Sequence, residues 1–200
     1  MAMLDLGAFR RAPLVSAPFK HLVLEGFIRP DQAPAALRDF PEIAHAGLLP
    51  VEATRPGPAL LALIEELKSP QVTAAFSEKF GMDLRDRPTM ITLRGRIHTD
   101  SEAKLVTALL YFNEAWEAGG GRLRLLRGPD DLNDMIAEVP PLLGTLVAFQ
   151  RADNSFHGHE PHTGVRRYVM INWMSHGLAA QKELLRHRIS AQAKRVLHYA

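Results

Sequence analysis

The sequence predicts a mainly β domain, an antiparallel sandwich or barrel with flanking helices, on three observations. Its second half holds six short runs rich in β-branched and aromatic residues. Glycine and proline clusters separate those runs, and no helix-length segment lies between them to carry a parallel crossover. A chain of 200 residues, 46% hydrophobic and 23% charged, also fits one globular domain with a sizeable core rather than a disordered polymer.

The front segment, residues 1–88, reads as a strand-plus-helix support layer. Lys20 to Ile28 (KHLVLEGFI) is a short strand-like run, and Asp31 stands where it can cap a helix reaching about Phe40. Pro58 to Lys68 repeats apolar residues at helical spacing. Ser69-Pro70 then supplies an N-cap and first-turn pair for a helix through about Phe80.

From about residue 89 to 176 the texture is β-rich. The strand candidates are Met90 to Ile97, Lys104 to Asn113, Gly121 to Leu126, Gly144 to Gln150, Ser155 to Glu160 and Arg166 to Met174. Gly119-Gly120-Gly121, Gly128-Pro129-Asp130 and Pro140-Pro141 punctuate them. Residues 128–139, with Asp130, Asp131 and Asp134, read as a rim or lid insertion. The end of the chain, about 177–200, reads as an amphipathic helix with a basic outer face.

Composition narrows the chemistry. Cysteine is absent, so any metal must be held by histidine and carboxylate, and a thiol nucleophile is excluded. The net charge of +2 gives no strong basic field, so nucleic acid is not indicated. No apolar run approaches the length of a membrane span, and the N-terminus makes a poor secretory signal, so the expected location is cytoplasmic.

The residues that suggest a reaction are His98-Thr99-Asp100, followed 57 residues after Asp100 by His157 and later by Arg166 and Arg167. His98 and Asp100 are two apart at the end of a strand-like run, a spacing that points both side chains to one face. Two imidazoles and one carboxylate can cap one face of an octahedral Fe(II) and leave the other positions open. Three histidines compete for the third place: His157, His159 and His162. His157 fits best, because Gly164 supplies a turn before the returning strand.

Taken in order, HTD, VTALLYFNEAW, GGGRLRLL, VPPLLGTLVAF, SFHGHEPHTGVRR and a strand ending in NWM resemble the prolyl 4-hydroxylase-like branch of the 2-oxoglutarate and Fe(II)-dependent dioxygenases. The resemblance spans about residues 90–174. It implies a double-stranded β-helix (jelly-roll) core, iron held by His98, Asp100 and His157, and 2-oxoglutarate and O2 as cosubstrates, with ascorbate as a supporting reductant. It also implies a basic residue for the far carboxylate of 2-oxoglutarate, six positions before a strand tryptophan. Trp173 then selects Arg167 over Arg166, with Tyr111 as a hydroxyl partner for the same carboxylate. Arg94, Arg96, His159 and Trp173 remain candidates for contact with substrate or for support of the ligands, while Trp116 reads as packing on a sheet edge.

The activity implied is hydroxylation of an unactivated C–H bond, on a prolyl or other amino-acid side chain or a small molecule, with succinate and CO2 as coproducts. Asp100 favours hydroxylation over halogenation, because a smaller residue there would open a position for halide. The alternative is a cupin-like metal-binding sensor without oxygenase activity, which would have no use for a basic residue at the far end of the site.

Overall fold

The computed structural model describes residues 2–43, 49–93, 100–178, 180–182, 185–186 and 189. Arg94, Arg96 and His98 lie outside the described residues, as does most of the expected C-terminal helix. Helical backbone is described there at 178, 180–182, 185–186 and 189.

The front segment begins with a helix that the periodicity did not announce. Asp5 accepts a hydrogen bond from the Ala8 amide at 2.8 Å and opens α1, Leu6–Arg11. After β1, His21–Leu24, comes α2, Ala33–Arg38. Asp31 does not cap α2: the cap position is Gln32, whose side-chain amide donates to Asp31 instead. Pro34 in the first turn starts the helix later than the aspartate suggested.

β2, Leu49–Pro50, leads into α3, Pro58–Leu67, whose Ala59 amide donates to Asp39 Oδ2 at 2.6 Å. Ser69 caps α4, Pro70–Phe80, as its sequence position predicts, accepting from the Val72 amide at 3.3 Å. Gly81 closes that helix in the left-handed conformation at φ +64°.

The remaining strands are β3 (Thr89–Leu93), β4 (Lys104–Tyr111), β5 (Leu123–Leu126), β6 (Met135–Val139), β7 (Leu146–Gln150), β8 (His157–Gly158) and β9 (Tyr168–Met174). The expected runs are present, the last four residues of Met90–Ile97 lie outside the described residues, and the others are shorter than expected. β6 lies inside the stretch expected to be a lid. Residues 127–134 form the turn of a β5–β6 hairpin, where Arg127 donates to Asp134 at 2.8 Å and Asp131 accepts from the Asn133 amide. The aspartates there are turn and surface groups.

The strands form two antiparallel sheets, one ordered β1-β7-β4-β9-β3-β2 and the other β6-β5-β8. This is the jelly-roll expected of the core. One face of the large sheet, with Val106, Ala108, Leu110, Val169, Ile171 and Trp173, packs on α3 and α4 through Leu60, Leu63, Phe76 and Phe80. The other face carries Leu109, Tyr111, Val147, Phe149, Tyr168 and Met170 against Leu123, Leu125 and Val139 of the small sheet. The site lies between the two sheets.

Candidate active site

Strand alternation decides which side chains reach the space between the sheets. In β9 the even positions Tyr168, Met170 and Asn172 face it, and in β4 the odd positions Thr107, Leu109 and Tyr111 do. A β-bulge changes the pattern at the start of β4: Lys104 pairs with Met174 and Val106 with Trp173, so one extra residue sits opposite their junction. The bulge brings Lys104 onto the cavity side, where strict alternation from Thr107 would have sent it to the helices. The cavity is lined on its polar side by Asp100, Thr107, His157, His159 and Arg166.

Asp100 is nearly sealed, with a side chain 3% exposed, and both of its oxygens are held. Lys104 Nζ donates to Oδ1 at 2.5 Å, and Thr107 Oγ1 donates to Oδ2 at 2.6 Å. Thr107 also lies 2.8 Å from the side-chain amide of Asn172. One hydroxyl carries one proton, so Thr107 can donate to Asp100 or to Asn172 Oδ1 but not to both at once, and the buried Asn172 Nδ2 has no partner among the described residues. Burial alone would raise the Asp100 carboxyl, but the charges of Lys104 and His157 and the hydrogen bonds from Lys104 and Thr107 hold it below the ordinary carboxylate range.

His157 stands across the gap on β8. Its Nδ1 lies 2.9 Å from the Ser155 carbonyl, which can only accept, so Nδ1 carries a proton and, in the neutral ring, Nε2 keeps its lone pair. The Phe149 ring packs on the imidazole at 4.6 Å. A metal-ligating histidine is commonly fixed by this combination of a backbone acceptor and a neighbouring ring. His159 shares the cavity side of the strand, with Nδ1 bonded to the Glu160 carbonyl at 2.8 Å, and burial pulls its imidazole below the usual value. His162 lies farther along the loop, beside His159 and Trp116.

Trp116 packs there as part of a loop contact. Its indole N–H donates to Gly120 O at 2.9 Å, and Gly121 has φ +81° with the indole so close that a Cβ would come within 2.5 Å of it. On the outer face of the small sheet, Arg124 of β5 pairs with Glu138 of β6 at 2.8 Å and with Glu160 at 3.2 Å, tying the segment after β8 to its neighbours.

The basic residue at the far end is a correction. Arg166, not Arg167, lines the cavity. Arg167, Val169, Ile171 and Trp173 do share a face, as the alternation predicts, but that face belongs to the helices. Trp173 is fully buried against Phe76 at 4.6 Å between ring centroids and lies 3.4 Å from Thr73 Oγ1. It therefore neither contacts the cavity nor marks its side. Arg167 is held by its backbone, with its amide donating to Asn113 Oδ1 and its carbonyl accepting from Phe112.

Arg166 is 5% exposed, stacks over the rings of Tyr111 and Tyr168 at 5.2 Å each, and donates to the Tyr111 hydroxyl at 2.8 Å. Its Nε has no hydrogen-bond partner, and no carboxylate among the described residues pairs with it. A buried guanidinium without an anion is costly unless a ligand brings one. Burial pushes the Tyr111 phenol upward against the pull of Arg166, so it stays neutral and keeps an O–H to give.

Sequence reasoning passed over Lys104, Thr107 and Asn172. Asn172, polar in the middle of an otherwise apolar strand, was the available signal for the cavity face.

The family model described as the 2OG-Fe(II) oxygenase superfamily matches residues 92–175. No curated protein matches the chain. Among solved structures, a prolyl hydroxylase from Trichoplax adhaerens, in complex with a hypoxia inducible factor oxygen degradation domain peptide fragment, is 13% identical with a TM-score of 0.52, covering 98% of this chain and 90% of that one. A prolyl-4-hydroxylase from Pseudomonas putida is 19% identical with a TM-score of 0.49, covering 84% of this chain and 95% of that one. A prolyl 4-hydroxylase from Phytophthora capsici is 17% identical with a TM-score of 0.49, covering 88% and 68%. The Trichoplax structure shares the fold.

Proposed function

We propose that the chain, which matches the 2OG-Fe(II) oxygenase superfamily over residues 92–175, hydroxylates an unactivated C–H bond using Fe(II), 2-oxoglutarate and O2. The observation that carries this reading is Arg166: a buried guanidinium with an orphaned Nε, facing the same cavity as Asp100 and His157. It calls for a carboxylate that enters with a ligand. A cupin-like sensor that binds only a metal gives Arg166 no role.

The donor set fits the metal. Asp100 supplies a carboxylate whose oxygens keep lone pairs beyond those taken by Lys104 and Thr107, and His157 presents Nε2. His98 completes the set in the sequence reading. Bound Fe(II) supplies O2 activation coupled to decarboxylation of 2-oxoglutarate, which ends in succinate, CO2 and a hydroxylated product.

The protein's own work is positioning. Arg166 and the Tyr111 hydroxyl both donate to the distal carboxylate of 2-oxoglutarate, which fixes the cosubstrate from its far end. Leu109, Leu123 and Met170 keep water away from its methylene chain. Ser155 and Phe149 hold the His157 ring in place, and Thr107 with Lys104 holds the Asp100 carboxylate. His159, at the cavity wall, is placed to touch the substrate. For the substrate class we favour an amino-acid side chain in a peptide, as in the peptide complex of the Trichoplax protein, with a free small molecule as the other class.

Anaerobic titration with Fe(II) and 2-oxoglutarate tests the reading. A visible charge-transfer band followed by succinate on admission of O2 is expected, and absence of both from folded protein overturns it.

A further inference from the structure

Lys104 enters the proposed function only as a hydrogen bond to Asp100, and that role does not use its charge. A lysine side chain 1% exposed, carried to the cavity side by a β-bulge and set on a candidate metal-binding carboxylate, is an expensive arrangement. A lone aspartate needs only hydrogen bonds to hold its orientation, and Thr107 already gives one. What Lys104 adds is charge. A divalent cation on Asp100 sits beside an ammonium bound to that same carboxylate, and the two repel at short range in a poorly screened interior.

Building on the proposed function, we infer that Lys104 is a positioning residue that sets the charge of the metal face, weakening it for a lone divalent cation and strengthening it for the cation together with a dianionic cosubstrate. Asp100 and Lys104 cancel, so a bound divalent cation keeps its full charge toward the cosubstrate, with Arg166 adding a further positive charge at the far end of the cavity. The binding of cation and dianion is thereby coupled, and the coupling is the same whichever binds first.

The test is calorimetric titration with Mn(II), a redox-quiet probe, with and without saturating 2-oxoglutarate, on the wild type, Lys104→Met and Lys104→Arg. Lys104→Met removes the charge at similar length. It should bind Mn(II) alone on the order of tenfold more tightly and 2-oxoglutarate, once Mn(II) is present, on the order of tenfold more weakly. Lys104→Arg should restore the wild-type pattern. Lys104→Gln, which keeps a donor for Asp100, replaces the methionine variant should that one fail to fold, with the same expectation.

A purely structural lysine predicts the opposite for the cation: a misplaced Asp100 and weaker Mn(II). That result, or an unchanged pair of affinities, overturns the inference while leaving the proposed function standing. Wild-type protein that binds neither Mn(II) nor 2-oxoglutarate would instead overturn the proposed function.

Discussion

The two faces of β9 are built from the same strand and do opposite work. Its odd positions, Val169, Ile171 and Trp173, are sealed against the helices, and none of them offers an ionisable group. Its even side, continued by Arg166, passes through Tyr168 and Met170 to Asn172, and it meets Thr107, Tyr111 and Asp100. Both faces are buried, so burial alone does not separate scaffold from site. The separation comes from polarity: the even side carries Arg166 and Asn172, whereas the only polar side-chain atom the odd positions offer is the Trp173 indole N–H, which reaches Thr73.

That contrast can be broken at its ends, and the largest effect belongs to the site. Asp100→Ala should abolish Mn(II) or Fe(II) binding while the far-ultraviolet circular dichroism stays native; metal retention at wild-type affinity would remove Asp100 from the site. On the scaffold face, Trp173→Ala should cost about 3–5 kcal/mol of stability in a denaturant titration. It should do so without weakening 2-oxoglutarate binding to the protein that remains folded, and a selective loss of cosubstrate affinity would return Trp173 to the cavity.

The neighbouring arginines sharpen the comparison within a single turn of chain. Arg166→Met should lose about 3 kcal/mol of 2-oxoglutarate affinity, near the lower part of the range for truncating a buried charged pair, whereas Arg167→Met should change it by less than about threefold. Equal losses would show that strand parity does not govern this end of the cavity. Smallest of all, Tyr111→Phe removes one O–H donor and should cost about 1 kcal/mol of the same affinity, read by calorimetry.

Much of this was legible in the residues. The ordered β runs and the capping pair Ser69-Pro70 follow from periodicity and turn chemistry, while the grouping of Asp100 with His157, which line one cavity, came from the resemblance. What failed had physical causes. β9 is apolar on both faces, so alternation gave its period without saying which side was which. Trp173 marks neither side by itself, because a large ring packs as well against a helix as in a cavity. β6 hid among aspartates that belong to the adjoining turn, and Lys104 required a bulge that no sequence pattern announces.

Among the described residues β8 is two residues long and pairs only with β5, through Arg124 and Leu125, yet it carries His157. Asp100 is anchored on the other wall by Lys104 and Thr107 of the six-stranded sheet. A cation gripped by both would rivet the two sheets together at a short strand with few described backbone pairs. In hydrogen-exchange terms, loading the site would slow the amides of β8 far more than those of β4, so that a short rung of the ladder borrows its rigidity from the chemistry it serves.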